Sequence, residues 1–556
     1  MQKIVDEDYY DFIIDNTLLD TYRENDNITP INARHSLAHI RKESDDPCII
    51  GTYPYNFFPN IYTLTSNINY EKSGIEQVQR NVNLALFGSG VIVGVVDTGI
   101  DYQHPAFLYK DNTSRILSIW DQTIQDGAPP EGFTYGSEYS QQMINIALKS
   151  PDPLSVVPSN DENGHGTAIA SIIAGSQSYE ESAGGVVPQS ELIVVKLKQA
   201  KQSLRKVVFV PDDAVCYQES DILLAIRYLL AAAEALKRPI AICIALGSSQ
   251  TNHEGEDALS LYINYLVQIP KIGISISAGN EGNTRRHYFG AVETETFYKD
   301  FELKISSQDQ LFSMEIWPSS LGRFTIEITS PTGESTQQIF PQFNECRKFD
   351  FVFESTVIWV NNYILEQETG EQLILIRFQL PIEGIWRFRI SNIDNEPSTF
   401  HSWLPSGNII SNETFFLESN PDTTITAPGN AYNPITVTAY NSINNSILTT
   451  SSRGYTRSGQ IVPDVAAPGF ELRCAAPNNL YSTITGTGAA AALTTGIVAM
   501  VLEWAVIRGN YTNITGTNIK FLIVRGASRS SSLTYPNNIW GYGAIDIQRL
   551  FERLTV

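Results

Sequence analysis

Residues 90–96 read GVIVGVV and continue directly into Asp97-Thr98-Gly99-Ile100-Asp101. An uninterrupted β-branched run of this length suits a parallel strand covered on both faces, and the aspartate after it stands where the strand leaves the sheet. Residues 190–196 (SELIVVK), 240–246 (IAICIAL) and 272–277 (IGISIS) repeat the texture. Between them lies the helical run ILLAIRYLLAAAEAL, opened by Glu219-Ser220-Asp221 and closed by Pro239. Ser220 is expected to cap its first amides, and the acids suit the positive helix end. Strand, helix, strand in this rhythm predicts an α/β fold with a doubly wound parallel sheet.

Outward from this core the texture changes twice. Residues 1–65 form a small α+β unit, with a helix expected around residues 31–40 and the extended run Tyr62-Thr63-Leu64-Thr65 at its end. His35 and His39 then share a helix face at ligand spacing, but HSLAH lacks the glutamate of a zinc peptidase motif and reads as ordinary surface. Residues 290–425 alternate with period two (FELKISS, LFSMEIW, RFTIEIT, LILIRFQL, IWRFRIS), which predicts an inserted all-β jelly roll. The division is therefore 1–65, 66–289, 290–425 and 426–556, the second and fourth segments making one core.

The chain has 556 residues, too many for one ordinary core, and 42% are hydrophobic, enough to bury several. Against 38 Lys and Arg stand 60 Asp and Glu, a formal charge of −22 that excludes broad contact with nucleic acid or an anionic membrane. Residues 488–506 (GAAAALTTGIVAMVLEWAV) have nearly the length of a membrane span, yet Gly496, Thr494, Thr495 and Glu503 suit a tightly packed core helix better. The N-terminus lacks the basic and apolar regions of a secretory signal. Cysteines 48, 216, 243, 346 and 474 show no paired spacing and read as core thiols of a reducing compartment.

Three segments carry chemistry. Asp97 ends a strand. Asn163-Gly164-His165-Gly166-Thr167 sets an imidazole at a helix start, and Ser277-Ala278-Gly279-Asn280 sets a carboxamide just past another strand, where its N–H suits an oxyanion. In this order and context the chain resembles the subtilisin-like serine peptidases. The resemblance implies that Asp97 orients His165, that Asn280 holds the oxyanion, and that Leu246, Gly247 and Gly279 edge a substrate groove. The family's serine falls on Gly488 within Thr485-Gly486-Thr487-Gly488-Ala489-Ala490, which leaves nothing to attack a carbonyl. Thr487 and Ser482 are not placed to replace it. Asp97 and His165 would then persist as a mutually bonded structural pair.

A short N-terminal prodomain, this core and an inserted jelly roll resemble the Csp germination proteases of clostridial spores, and within them the members that lost catalytic residues. That resemblance implies a regulator in the spore cortex or coat region that senses or relays a germinant, such as a bile salt, to an active Csp protease or other Csp proteins. It also implies a prodomain retained with Tyr62, Thr63, Leu64 and Thr65 plugging the groove. An active endopeptidase whose serine was removed by mutation, or a structural packaging partner, are the alternatives. Arg285, Arg286, Arg453 and Arg457 are loop arginines that could hold an acidic ligand tail, but such residues are usually solvated or in ion pairs. No cofactor or metal is expected; calcium rests on family habit alone, without a recognisable ligand loop.

Overall fold

The Ile92–Asp97 strand is buried along its whole length and pairs in parallel with Glu191–Lys196 on one side and Ile240–Ile244 on the other. In this computed structural model, residues 1, 23–26, 43–45, 66–72, 179, 180, 182, 293, 294, 320, 321, 395, 555 and 556 lie outside the description. The expected boundary between N-terminal unit and core crosses residues 66–72 and so lies among them. The sheet has nine strands, ordered Ser446–Ile447, Ile435–Asn441, Ile272–Ser277, Ile240–Ile244, Ile92–Asp97, Glu191–Lys196, Ile116–Asp121 and Ser137–Ser140, with Val465–Pro468 also beside Ile435–Asn441. Only Ser137–Ser140 and Ser446–Ile447 run antiparallel.

Side chains alternate across this sheet. Val93 and Val95 face the helices His165–Ala174 and Thr487–Leu502, while Ile92 and Val96 face Glu219–Ala235 and Ala258–Leu266. The Thr487–Ile507 segment is long and apolar enough to cross a membrane by length and composition. Here every residue of Thr487–Leu502 is buried in the core, and its small side chains let the helix lie close to the sheet. The Glu219–Ala235 helix starts where expected, but Ser220 does not cap it. Its hydroxyl accepts from the Gln218 side chain instead, at 2.7 Å.

Among the described residues, ten antiparallel strands build the insertion. Six form the sheet His287–Val292, Ser398–Trp403, Leu311–Pro318, Leu373–Gln379, Val357–Tyr363, Cys346–Asp350, and four form Phe324–Thr329, Gly384–Asn392, Tyr298–Ile305, Phe415–Phe416. The IWRFRIS alternation explains its own sheet. Trp386, Phe388 and Ile390 point inward, while Arg387 and Arg389 reach solvent and pair with Glu302 and Asp300. Where the insertion meets the core, His253, His287 and His401 stack with Trp403, His253 and Trp403 with ring centroids 3.8 Å apart. Burial pushes these imidazoles down, to about 3, 4 and 2 respectively.

The N-terminal unit corrects two expectations. Residues 35–41 are a strand, not a helix: His35–Arg41 lies between Tyr9–Asp15 and Ile28–Pro30. Pairing on both edges overrides the local periodicity, and in a strand positions four apart still share a face. His39 is thereby buried, with Nδ1 2.6 Å from Asp11 and Nε2 2.8 Å from Thr29. Asp11 also accepts from Lys201 and Gln218 of the core, at 3.0 and 3.2 Å. Burial alone would raise the Asp11 carboxyl, but the Lys201 ammonium and His39 outweigh it and hold it below the usual range. The second correction is covalent. Cys48 and Cys346 form a disulfide that ties the N-terminal unit to the insertion, while Cys216, Cys243 and Cys474 are buried thiols. A partner 298 positions away has no local spacing signal. The two units also share one core, in which Phe12, Phe57 and Phe58 join Phe312, Trp317 and Leu375.

Replacing Cys48 by Ser is expected to cost about 2–4 kcal/mol of stability in urea unfolding without reductant, and dithiothreitol should remove most of the difference. The histidine stack sets a pH dependence. An imidazole with its folded pKa below the unfolded value of about 6.5 binds fewer protons when folded, so stability is lost as pH falls from about 6.5 towards 4. His401→Gln should therefore lose stability less steeply than the parent over this window, the difference reaching at most about 1.4 kcal/mol per pH unit. Parallel pH profiles for the two proteins would contradict the arrangement.

Candidate active site

Asp97 and His165 meet because a strand end and a helix start converge. The fully buried Asp97 carboxylate faces Nδ1 of His165 with its two oxygens at 2.8 and 2.9 Å, and also accepts from the Thr98 amide at 2.7 Å. The helix can come this close only with glycine at 166, where a Cβ would lie 2.2 Å from the Gly99 carbonyl oxygen. Asp161, which no sequence motif singled out, holds the junction together. One of its oxygens accepts from Thr98 Oγ1 and the Gly164 amide, the other from the Thr167 amide and hydroxyl, at 2.6–2.8 Å. Its signal in the sequence is spacing alone: an aspartate three residues before the turn glycine and six before a helix threonine.

Gly488 is the second residue of the Thr487–Leu502 helix, and its N–H donates to the Thr65 carbonyl at 2.6 Å. Asn280 Oδ1 accepts from the Thr487 amide and hydroxyl at 3.2 and 3.1 Å, which leaves the amide NH2 as the donating end of this carboxamide. The Thr487 hydroxyl is held between Asn280 and the Gly279 amide. Ser482 is exposed on the Leu472–Ala476/Leu480–Ile484 hairpin and lines the same cleft as His165, with its hydroxyl 3.5 Å from the Thr483 carbonyl. Neither hydroxyl serves His165, whose buried Nε2 has no hydrogen-bonding partner among the described residues. Donors for an oxyanion and an oriented imidazole are thus in place, with glycine at position 488 beside them.

The groove is filled by the chain's own N-terminal unit. Ile61–Leu64 lies between two core strands, with Ile61 and Tyr62 opposite Gln218 and Tyr217, and Thr63 and Leu64 opposite Gly247 and Leu246. Glu219 anchors its entry: the carboxylate accepts from the Asn60 amide and side chain, and the Glu219 amide donates to the Asn60 carbonyl at 2.9 Å. Burial, with Asp257 nearby, pushes this carboxyl up to about 8. Gly279 does not pair with the strand in the groove. Its left-handed φ of +100° turns the chain away, so its amide serves Thr487 and its carbonyl accepts from the Ser452 amide rather than from the plug. Leu64 and His165 face an open cleft also lined by Asn163, Asn408, Pro477 and Thr483.

The loop arginines are mostly consumed. Arg286 is buried and bonds Glu281, the carbonyls of Pro405, Gly407 and Ile410, and Asn412. Arg285 lies over the Phe415 ring, and Arg457 is held by Glu254, Glu371 and the Asn252 carbonyl. Arg453 keeps a buried Nε without a partner. Among the described residues, no group of three or more His, Cys, Asp or Glu side chains is placed to hold a metal ion.

The sequence model of the subtilase family, peptidase S8, matches residues 88–299 and 405–543, and its interruption falls on the all-β insertion. The structure of the Clostridium perfringens CspB protease is similar over 87% of this chain and 96% of that one, at 29% sequence identity and a TM-score of 0.77. The C5a peptidase of Streptococcus pyogenes serotype M18 is 23% identical over 515 residues, 83% of this chain but only 40% of that protein. The intracellular serine protease of Paenibacillus polymyxa is 30% identical over 131 residues, 23% of this chain and 30% of its own length. This chain therefore spans less than half the length of the C5a peptidases it matches.

Asp161→Asn is expected to destabilise the protein by about 2 kcal/mol, because an amide NH2 would face donors that a carboxylate accepts. Thermal unfolding measures the loss, and an unchanged midpoint would remove Asp161 from its bracing role.

Proposed function

This chain belongs to the subtilase family, and on that premise we propose that it is a pseudoprotease of the Csp type, a regulator that does not cut peptide bonds. The observation that carries the reading is an intact Asp97–His165 hydrogen bond beside glycine at position 488, with His165 Nε2 left unpartnered. Removing the serine from subtilisin itself, the reference case for this triad, lowers kcat about 10⁶-fold. The hydrogen bond that once served proton transfer would now stabilise the loop and helix ends around it.

The likeness to the CspB protease of Clostridium perfringens supports the Csp assignment. Within that group the loss of the nucleophile favours a CspC-like role, with a CspA-like one as the alternative. In this reading the protein resides in the spore and receives or relays a germinant signal, of which a bile salt is the candidate. It passes that signal to an active CspB-like protease that processes the precursor of a cortex hydrolase. The prodomain stays attached because the bond after Thr65 is never attacked, and the N-terminal strand keeps the groove closed to other peptides.

Intact mass of the parent and of a Gly488→Ser variant tests the loss of catalysis. The parent should run as one uncut chain and the variant should be cut after Thr65. A cut parent would overturn the pseudoprotease reading. Two uncut proteins would show that the frame has lost more than its nucleophile.

A further inference from the structure

The residue whose carbonyl meets Gly488 is held by its side chain as well as its backbone. Thr65 is 4% exposed, and its hydroxyl lies 2.8 Å from the Ala245 carbonyl and 2.9 Å from Ser277 Oγ. Ala245 and Ser277 belong to neighbouring parallel segments that continue to Gly247 and Gly279. Between these two glycines the slot is already occupied. Thr426 Oγ1 would lie 2.3 Å from a Cβ at Gly247 and 2.5 Å from one at Gly279.

Thr426 cannot easily move aside, because its own strand segment is bonded to both walls. Its amide donates to the Ala278 carbonyl at 3.0 Å, and the next residue, Ala427, exchanges two backbone hydrogen bonds with Ser248, at 3.0 and 2.9 Å. Thr426 is 1% exposed and Ser277 fully buried. The space left for a side chain next to Thr65 is therefore short and ends on polar groups. A long aliphatic or aromatic side chain would meet Thr426, and a small apolar one would leave Ser277 Oγ and the Ala245 carbonyl facing a methyl group.

We propose that Thr426 and Ser277 make this groove selective for a peptide segment whose residue at Gly488 is threonine or serine, so that Thr65 is matched to its pocket by its hydroxyl. The inference rests on reading the groove as a peptide-binding groove, and it states by chemistry what another segment would need in order to displace the plug. Such a segment would be extended and present a small hydroxylated side chain at its buried end.

Amide hydrogen exchange at Gly488, whose partner is the Thr65 carbonyl, reads the seating directly in the full chain. Thr65→Ser should keep the protection within about twofold. Thr65→Val, of the same shape without the hydroxyl, should speed exchange roughly tenfold to a hundredfold, and Thr65→Leu should do the same or more. Adding Thr426→Gly to Thr65→Leu should restore much of the protection, because the slot then opens for the larger side chain. If Thr65→Val fails to fold by thermal unfolding, Ser277→Ala removes the same contact from the wall and should also speed exchange. Protection unchanged by Thr65→Val or by Ser277→Ala, or a well-seated Thr65→Leu with Thr426 intact, would overturn the pocket. None of these readouts uses catalysis. A Gly488→Ser variant that fails to cut itself leaves the pocket standing, and a non-selective pocket leaves the pseudoprotease reading standing.

Discussion

The strand Ile61–Leu64 pairs on both of its edges, by its first half on one side and its second half on the other. Tyr217–Gln218 takes one side, Leu246–Gly247 the other, and the last carbonyl of the run, that of Thr65, ends on the Gly488 amide. Buried backbone groups must find partners, and here the core strands that would hold a substrate find theirs in the chain's own N-terminus. The rest of the molecule is arranged around this seating. The N-terminal sheet packs into the core of the inserted sandwich, the Cys48–Cys346 bond ties the two covalently, and Asp11, His39, Lys201 and Gln218 close the remaining interface with charge and hydrogen bonds.

Such anchoring gives the inserted sandwich a role in holding the plug. Arg286 binds the carbonyls of residues 405, 407 and 410, the return segment from the sandwich, and Glu281 accepts from the Gly407 amide, so the path back into the core runs beside the strand in the groove. Arg377 of the sandwich reaches the Pro47 carbonyl of the N-terminal unit and the Val207 carbonyl of the core. One buried guanidinium thus ties the sandwich to two other parts of the chain, whose carbonyls would otherwise need other partners.

The candidate site persists by the same physics. Asp97 holds His165 through Nδ1, and Asp161 satisfies four donors from three residues around them. Removing any of these would leave buried polar groups unpaired, at a cost that does not depend on whether peptide bonds are cut. A frame of this kind is therefore held by its own hydrogen bonds, whatever residue stands at position 488.

The sequence by itself determined the central sheet, because β-branched runs buried on both faces have one reading, and it brought Asp97, His165, Asn280 and Gly488 to one end of that sheet through motif and order. It also carried the alternation of the sandwich strands, down to Arg387 and Arg389 facing outward. Tertiary structure alone decided what depends on distant partners. His35–Arg41 is a strand because two neighbours pair with it, and Cys48 finds Cys346 across 298 positions. Gly279 turns its backbone groups away from the strand in the groove, and Thr426, from the segment after the insertion, fills the slot between Gly247 and Gly279. Periodicity and motif report the local chain; contacts between remote segments have no local period, and only the packed structure sets them.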